Sequence, residues 1–175
     1  MDIVNIVASG QLNFTELDLE ALQQDLGSDV SELKADFPRL DVKFDEDSPL
    51  IMIYSSGTYT IPGASSKKEL QESREQFISY LDNVSSGELT ETSFSIKYMV
   101  FMCDTEKSID LEIASIRFGI ERVEYEPEQF PGLIYRMDDP KGVILAFSTG
   151  KLLFTGFKNM ELAQEAKEKI VSELF

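Results

Sequence analysis

The chain repeats itself. Displaced by 93 residues, it aligns with its own second half at chemically distinctive positions. Phe37-Pro38 falls on Phe130-Pro131, Asp45 on Asp138, Ser55 and Gly57 on Ser148 and Gly150, and Gly63 on Gly156. Val7, Leu40 and Ile51 meet Val100, Leu133 and Ile144 in the same frame. Leu17-Asp18-Leu19-Glu20 meets Ile109-Asp110-Leu111-Glu112 at a displacement of 92, which implies one inserted or deleted residue. Two copies are too few for a solenoid, in which stacked repeats cover one another, and they suit a pseudo-two-fold domain. The copies are placed at 1–84 and 94–175, joined by a linker at 85–93 within the polar, Gly-containing stretch Asn83–Thr92.

Each copy has the same order of local signals. A short apolar strand opens it, at Ile3–Ala8 and Ser95–Met102. A helix with an acidic first turn follows, with Thr15 and Ser108 as the expected N-caps. Strand-like runs come next: Leu40–Phe44, Leu50–Tyr54 and Thr58–Ile61 in the first copy, Leu133–Met137, Val143–Phe147 and Lys151–Thr155 in the second. Ser-Ser-Gly and Ser-Thr-Gly between the last two runs are hairpin turns. Apolar residues at helical spacing close each copy, over Lys67–Leu81 and Met160–Leu174. The class is α+β: two copies can merge into one antiparallel sheet with helices on one face, which leaves the other face free to bind something.

Composition removes several functions. One cysteine, Cys103, and no histidine exclude a disulfide framework, a zinc site of the usual type and nucleophilic triads, so the chain is expected not to be an enzyme and to need no cofactor or metal. There is no phosphate-binding glycine loop. Asp45/Glu46 and Asp138/Asp139 fall at expected turns and read as solvated. No apolar run approaches the roughly 18 residues of a membrane span, and the start MDIVNIVASG lacks the basic residues of a signal peptide. The net charge of −16 argues against easy nucleic-acid binding and suits a salt-rich cytoplasm or a basic partner.

The run Tyr125-Glu126-Pro127-Glu128-Gln129-Phe130-Pro131-Gly132-Leu133-Ile134-Tyr135-Arg136 resembles the second repeat of TATA-box-binding proteins, as does Phe147-Ser148-Thr149-Gly150-Lys151 followed by Thr155-Gly156. Asn5-Ile6-Val7-Ala8 resembles the opening strand of the first repeat. The resemblance implies a curved ten-stranded sheet, a saddle with helices on its convex side, that binds A/T-rich promoter DNA in the minor groove. The resemblance also implies that aromatic wedges enter the base steps and kink the duplex. The net acidity and divergence point to one of several archaeal paralogues in the cytoplasm.

The resemblance also implies site residues. The wedges match Phe37 and Tyr54, then Phe130 and Phe147, each pair 17 residues apart. Taken singly these are ordinary core aromatics; the equal spacing favours the wedge role. Tyr54 departs from the usual Phe and needs a partner for its hydroxyl. Asn5 matches a donor to minor-groove acceptors, but its second-repeat partner is Tyr98, which puts a TATA preference in doubt. Thr155 matches a hydroxyl reader whose first-repeat partner is Pro62, a residue that fits beside a bulge or edge. Val7, Met52 and Thr60, with Val100, Leu145 and Leu153, match the groove floor.

Phosphate grips match Arg136, Lys141, Lys151 and Lys158 in the second repeat, while Lys43, Ser48, Thr58 and Ser66 stand in the first. This imbalance implies weak or one-sided DNA binding. Glu126 and Glu128 match the loop that meets transcription factor B, ahead of the RNA polymerase machinery. The first-repeat counterpart, near Glu32–Asp36, differs in composition. Two other readings keep the fold. In one, the chain is a paralogue that acts mainly as a protein-binding module or sequesters transcription factor B. In the other, the concave sheet holds a small ligand or peptide. An exposed apolar face also allows a homodimer without DNA.

Overall fold

The computed structural model describes residues 1–34 and 36–175. Among them are ten strands and four α-helices, and the class is α+β. The chain divides into two compact units: Asn5–Lys97, hereafter the first unit, and Met1–Val4 with Tyr98–Phe175, the second.

The first unit contains β1 (Asp2–Leu12, from Asn5 on), α1 (Leu19–Leu26), β2 (Ser31–Lys34), β3 (Arg39–Val42), β4 (Ile51–Tyr54), β5 (Thr58–Ala64) and α2 (Lys67–Val84). Its strand order is β2-β3-β4-β5-β1, with each neighbouring pair antiparallel. The second unit contains the latter half of β6 (Glu91–Asp104, from Tyr98 on), then α3 (Leu111–Phe118), β7 (Val123–Glu124), β8 (Gly132–Asp138), β9 (Lys141–Phe147), β10 (Lys151–Thr155) and α4 (Met160–Leu174). Its order, β7-β8-β9-β10-β6, repeats that of the first unit.

Alternation along each strand makes the two faces unlike. Ile6, Ala8, Leu40, Val42, Ile51, Ile53, Tyr59 and Ile61 are buried under α1 and α2, as are Phe101, Leu133, Ile144, Ala146, Leu152 and Phe154 under α3 and α4. The helices supply Leu22, Leu26, Phe77 and Leu81 on one side and Ala114, Phe118, Ala166 and Ile170 on the other. Each large side chain buried in this way contributes about 1.5–3 kcal/mol. The residues between them on the same strands point to the opposite, open face.

Several boundaries differ from expectation. Asp18 and Asp110, not Thr15 and Ser108, cap α1 and α3: each carboxylate accepts from two first-turn amides at 3.0–3.1 Å. Thr15 and Ser108 lie where the chain is still running past the hairpins, since Leu17 N donates to Ser55 O and Ile109 N to Ser148 O. Within the expected linker a turn covers Ser85–Gly87 after α2, and β6 begins at Glu91.

That early part of β6 belongs to the first unit. Asn13 N donates to Thr90 O, and Thr92 Oγ1 donates to Gln11 O. Glu91 accepts from Tyr59 and Arg74, and Arg74 lies 4.3 Å over the Phe94 ring. Burial works to raise the Glu91 pKa, but the bonds from Arg74 and Tyr59 and the guanidinium charge hold it below the ordinary glutamate value.

Candidate nucleic-acid interface

The hairpins that carry the aromatic positions need a glycine. Gly57 and Gly150 have φ of 77° and 94°, and each amide donates back to the residue before the turn, Tyr54 O and Phe147 O, at 2.9 Å. A Cβ on either would strike a backbone carbonyl, that of Phe14 at 1.8 Å or Lys107 at 2.2 Å. The turns therefore fix where Tyr54 and Phe147 stand at the ends of β4 and β9.

In each unit the structure brings the two expected aromatics together outside the core. Phe37 and Tyr54 meet edge to face with centroids 6.2 Å apart, and Phe130 and Phe147 with centroids 5.9 Å apart. Phe37 is 59% exposed; Tyr54, Phe130 and Phe147 are half-buried. The Tyr54 hydroxyl points at the weakly accepting Met52 sulfur, 3.9 Å away.

What lies beside the rings differs. In the second unit Gly132 pairs with Phe147 across the ladder, and a Cβ there would sit 2.8 Å from Phe130 and 3.0 Å from Phe147. In the first unit Arg39 takes that place opposite Tyr54 and donates to Asp41 at 2.7 Å. The Asp41 bond raises the Arg39 pKa against partial desolvation. Lys34, opposite Arg39, pairs with Glu32 at 2.6 Å, and Glu32 stands opposite Asp41. Two cations on the first unit's open face are thus matched by two carboxylates of the same face.

The floors differ in the same sense. Strand register sets a cross-sheet row of Glu32, Asp41, Met52, Thr60 and Ser9 in the first unit. The corresponding row in the second is Glu124, Ile134, Leu145, Leu153 and Met102. Sequence reasoning found Met52, Thr60, Leu145 and Leu153 in these rows but missed Asp41, Ser9, Ile134 and Met102. The i, i+2 spacing of Arg39 and Asp41 on a strand was the available signal, because such residues share a face. Of the remaining floor positions, Val100 pairs with Thr155, and Val7 lies on β1 nearly buried.

Asn5 is positioned by a bulge. The register of β1 against β5 slips between Ile6 and Ala8, opposite Pro62-Gly63, which is how β5 tolerates a proline. The Gly63 amide donates to Asn5 Oδ1 at 3.0 Å. With the oxygen committed, the Asn5 amide nitrogen is the group left to donate outward. Tyr98, at the matching place in the second copy, is exposed.

The expected grips do not form one set. Arg136, Lys141 and Lys158 share the rim of a groove of about 690 Å³ in the second unit, together with Asp138 and Asp139. Arg136 also bonds Glu124 of β7 through two nitrogens at 2.8 and 3.0 Å. Lys151 lies apart from that groove, exposed and opposite Asp104 in the ladder. In the first unit Lys43 Nζ donates to Glu46 O at 2.6 Å.

Glu126 and Glu128 are exposed in the loop before Phe130; the Glu126 carbonyl accepts from Gln129 N and Phe130 N at 2.9 Å, and its carboxylate accepts from the Gln129 amide. The first-copy partner of Glu128, Ala35, lies outside the described residues. Cys103 is buried, and burial pushes its thiol pKa up. No cluster of three or more metal-ligating side chains occurs among the described residues. No helix there is long and apolar enough to cross a membrane.

Comparison with known proteins agrees with this geometry. Residues 1–84 and 93–175 match the family described as transcription factor TFIID, or TATA-binding protein. TATA-box-binding protein C of Halobacterium salinarum is 39% identical, covering 99% of this chain and 97% of the relative. The TATA-box-binding protein of Archaeoglobus fulgidus is 32% identical over 98% of this chain and 93% of its own length. The solved structure of Methanococcus jannaschii TBP superposes with a TM-score of 0.82 at 33% identity, covering 99% of this chain and 97% of that one. The doubled fold, the displayed aromatic pairs and these matches over nearly the whole length lead to one conclusion: the chain belongs to the TATA-box-binding protein family.

Proposed function

We propose that this chain is a non-enzymatic transcription initiation factor that binds promoter DNA in the minor groove, bends it and recruits transcription factor B, with its second unit supplying most of the grip. The observation that carries the reading is the Phe130–Phe147 pair, displayed on an open face next to an apolar floor and within a unit that also holds Arg136, Lys141 and Lys158. Rigid apolar rings can replace part of a base stack when a step opens. The apolar row suits sugar edges and base edges, and the rim cations suit phosphates. The Asn5 amide and Thr155 hydroxyl offer donors to the acceptors that A·T pairs present in the minor groove. Exposed Glu126 and Glu128 suit basic residues on transcription factor B.

A second reading, a paralogue that acts mainly on protein partners, draws support from the first unit, where Glu32 and Asp41 place carboxylates on the face that would meet DNA. One titration separates the two. Fluorescence-detected bending of an A/T-rich duplex is followed across a salt series, with and without transcription factor B. The initiation reading expects saturable bending that transcription factor B strengthens. A complex with transcription factor B and no bend at any salt would establish the second reading instead.

A further inference from the structure

The two short helices are built on the same plan but finish differently. On α1, Leu19, Leu22 and Leu26 face inward and the outward positions are Glu20, Ala21, Gln23, Gln24 and Asp25. On α3, Leu111, Ala114 and Phe118 face inward, yet the outward positions include Ile113 and Ile116. Ile113 is 50% exposed, Ile116 74%, and Ile120, just past the Gly119 cap, 79%. Their matches in the first unit at a displacement of 92 are Ala21, Gln24 and Ser28. A helix apolar on both sides is the pattern of one covered on both sides.

No folding role accounts for the three isoleucines. β-branched residues form helix less readily than the glutamines of α1. An apolar residue after a glycine cap often packs back on the last turn, but Ile120 stays in solvent. The stripe continues onto the end of α4. Arg117 donates to the carbonyls of Glu173 and Leu174 at 3.1 and 2.9 Å, holding that end beside α3. Ile113, Ala114, Leu174 and Phe175 then wall a recess of about 200 Å³, with Phe175 51% exposed.

The charges around the stripe select its occupant. Glu112, Glu121 and Glu173 are exposed beside it. The nearby cations are engaged: Arg117 by the α4 carbonyls, Lys107 over the Phe175 ring at 4.7 Å, and Arg122 by Asp138 and Glu121. A second copy of a chain with net charge −16 would bring like charge to the same place. We propose that the outer face of α3 with Ile120 and Phe175 docks a basic amphipathic helix of a partner protein. The partner's apolar residues would cover the isoleucines, and its flanking Lys or Arg would meet Glu112 and Glu173. This surface belongs to the helix side of the second unit and is separate from the open face assigned to DNA.

The test uses the full chain and a labelled 18-residue helical peptide with leucines on one stripe and lysines flanking it, followed by fluorescence anisotropy. A glutamate-flanked peptide of the same pattern is the charge control. Ile116→Asp with Ile120→Asp is expected to weaken the lysine peptide at least about tenfold, while Gln24→Asp on α1 leaves it unchanged and the glutamate peptide fails to bind. The gentler Ile116→Gln with Ile120→Gln keeps the test valid if the charged variant unfolds. Equal binding of both peptides, or no loss in either double variant, would overturn the proposal. So would sedimentation showing that the wild type self-associates and the double variant does not, because the occupant would then be a second copy.

Discussion

The two units share a strand order, a hairpin glycine, an aspartate-capped helix and an aromatic pair, yet their open faces are very different. The second unit's central row runs Ile134, Leu145, Leu153 and Met102, and its rings lie beside a glycine. The first unit's row runs Asp41, Met52, Thr60 and Ser9, and beside its rings sits an arginine already bonded to Asp41. Duplication preserved what the fold needs, because buried residues and turns are constrained by packing. Beyond the aromatic pair, the open faces of the two units differ. A symmetric fold therefore does not imply a symmetric grip.

The largest expected difference concerns the rings. Phe130→Ala or Phe147→Ala should cost about 2–3 kcal/mol of DNA binding, the upper range for losing an aromatic–base stack. Phe37→Ala or Tyr54→Ala should cost under about 1 kcal/mol. Equal losses, measured by fluorescence titration on one duplex, would remove the asymmetry.

Next comes the first unit's Tyr59–Glu91–Arg74 network, whose Tyr59 has no ionisable match in the second unit because Leu152 stands where it would. Glu91→Gln should destabilise by about 1.5–3 kcal/mol, the range for hydrogen bonds to a charged group. The Glu91 pKa is lowered in the folded state, so its contribution is complete above the ordinary glutamate value, about 4.3, and is lost as pH falls through the folded value. Denaturant titrations of wild type and variant should converge on acidification below that value. Persistence of the full gap at low pH would show that packing, not the charge, is at work.

Smaller again is the effect of importing the second unit's floor into the first. Asp41→Ile frees Arg39 and removes a carboxylate, so DNA affinity should rise and the log-affinity versus log-salt slope should steepen by about 0.9, one more phosphate contact. An unchanged slope would mean that Arg39 lies outside the footprint. Smallest and symmetric are the caps: Asp18→Ala and Asp110→Ala should each cost about 1 kcal/mol of stability. A marked inequality between them would show that the two α-helices are held differently beneath their sheets.

These residues also show how far sequence carried. The long helices α2 and α4 were legible because their apolar stripes span several turns. Eight strands were legible, the two that open the copies as apolar runs and six more from alternation and the repeated hairpin glycines. β2 and β7 were not, because SELK and VE lie at sheet edges, are short and carry almost no apolar alternation. That gap hid part of the site. The Arg136–Glu124 pair exists only because β7 lies beside β8, and the Glu32–Asp41 alignment only because β2 lies beside β3. The aromatic positions were legible through their equal spacing in both copies. The neutralisation of first-unit cations was not, since it depends on cross-strand neighbours that no local pattern reports.

The most direct test of the unequal grip is the bend angle of one A/T-rich duplex, read by energy transfer between its ends for two double variants. Removing Phe130 and Phe147 together should abolish the bend at every salt concentration, whereas removing Phe37 and Tyr54 together should leave a reduced but measurable bend. Equal loss from both double variants, or a bend that survives without Phe130 and Phe147, would contradict the assignment of the grip to the second unit.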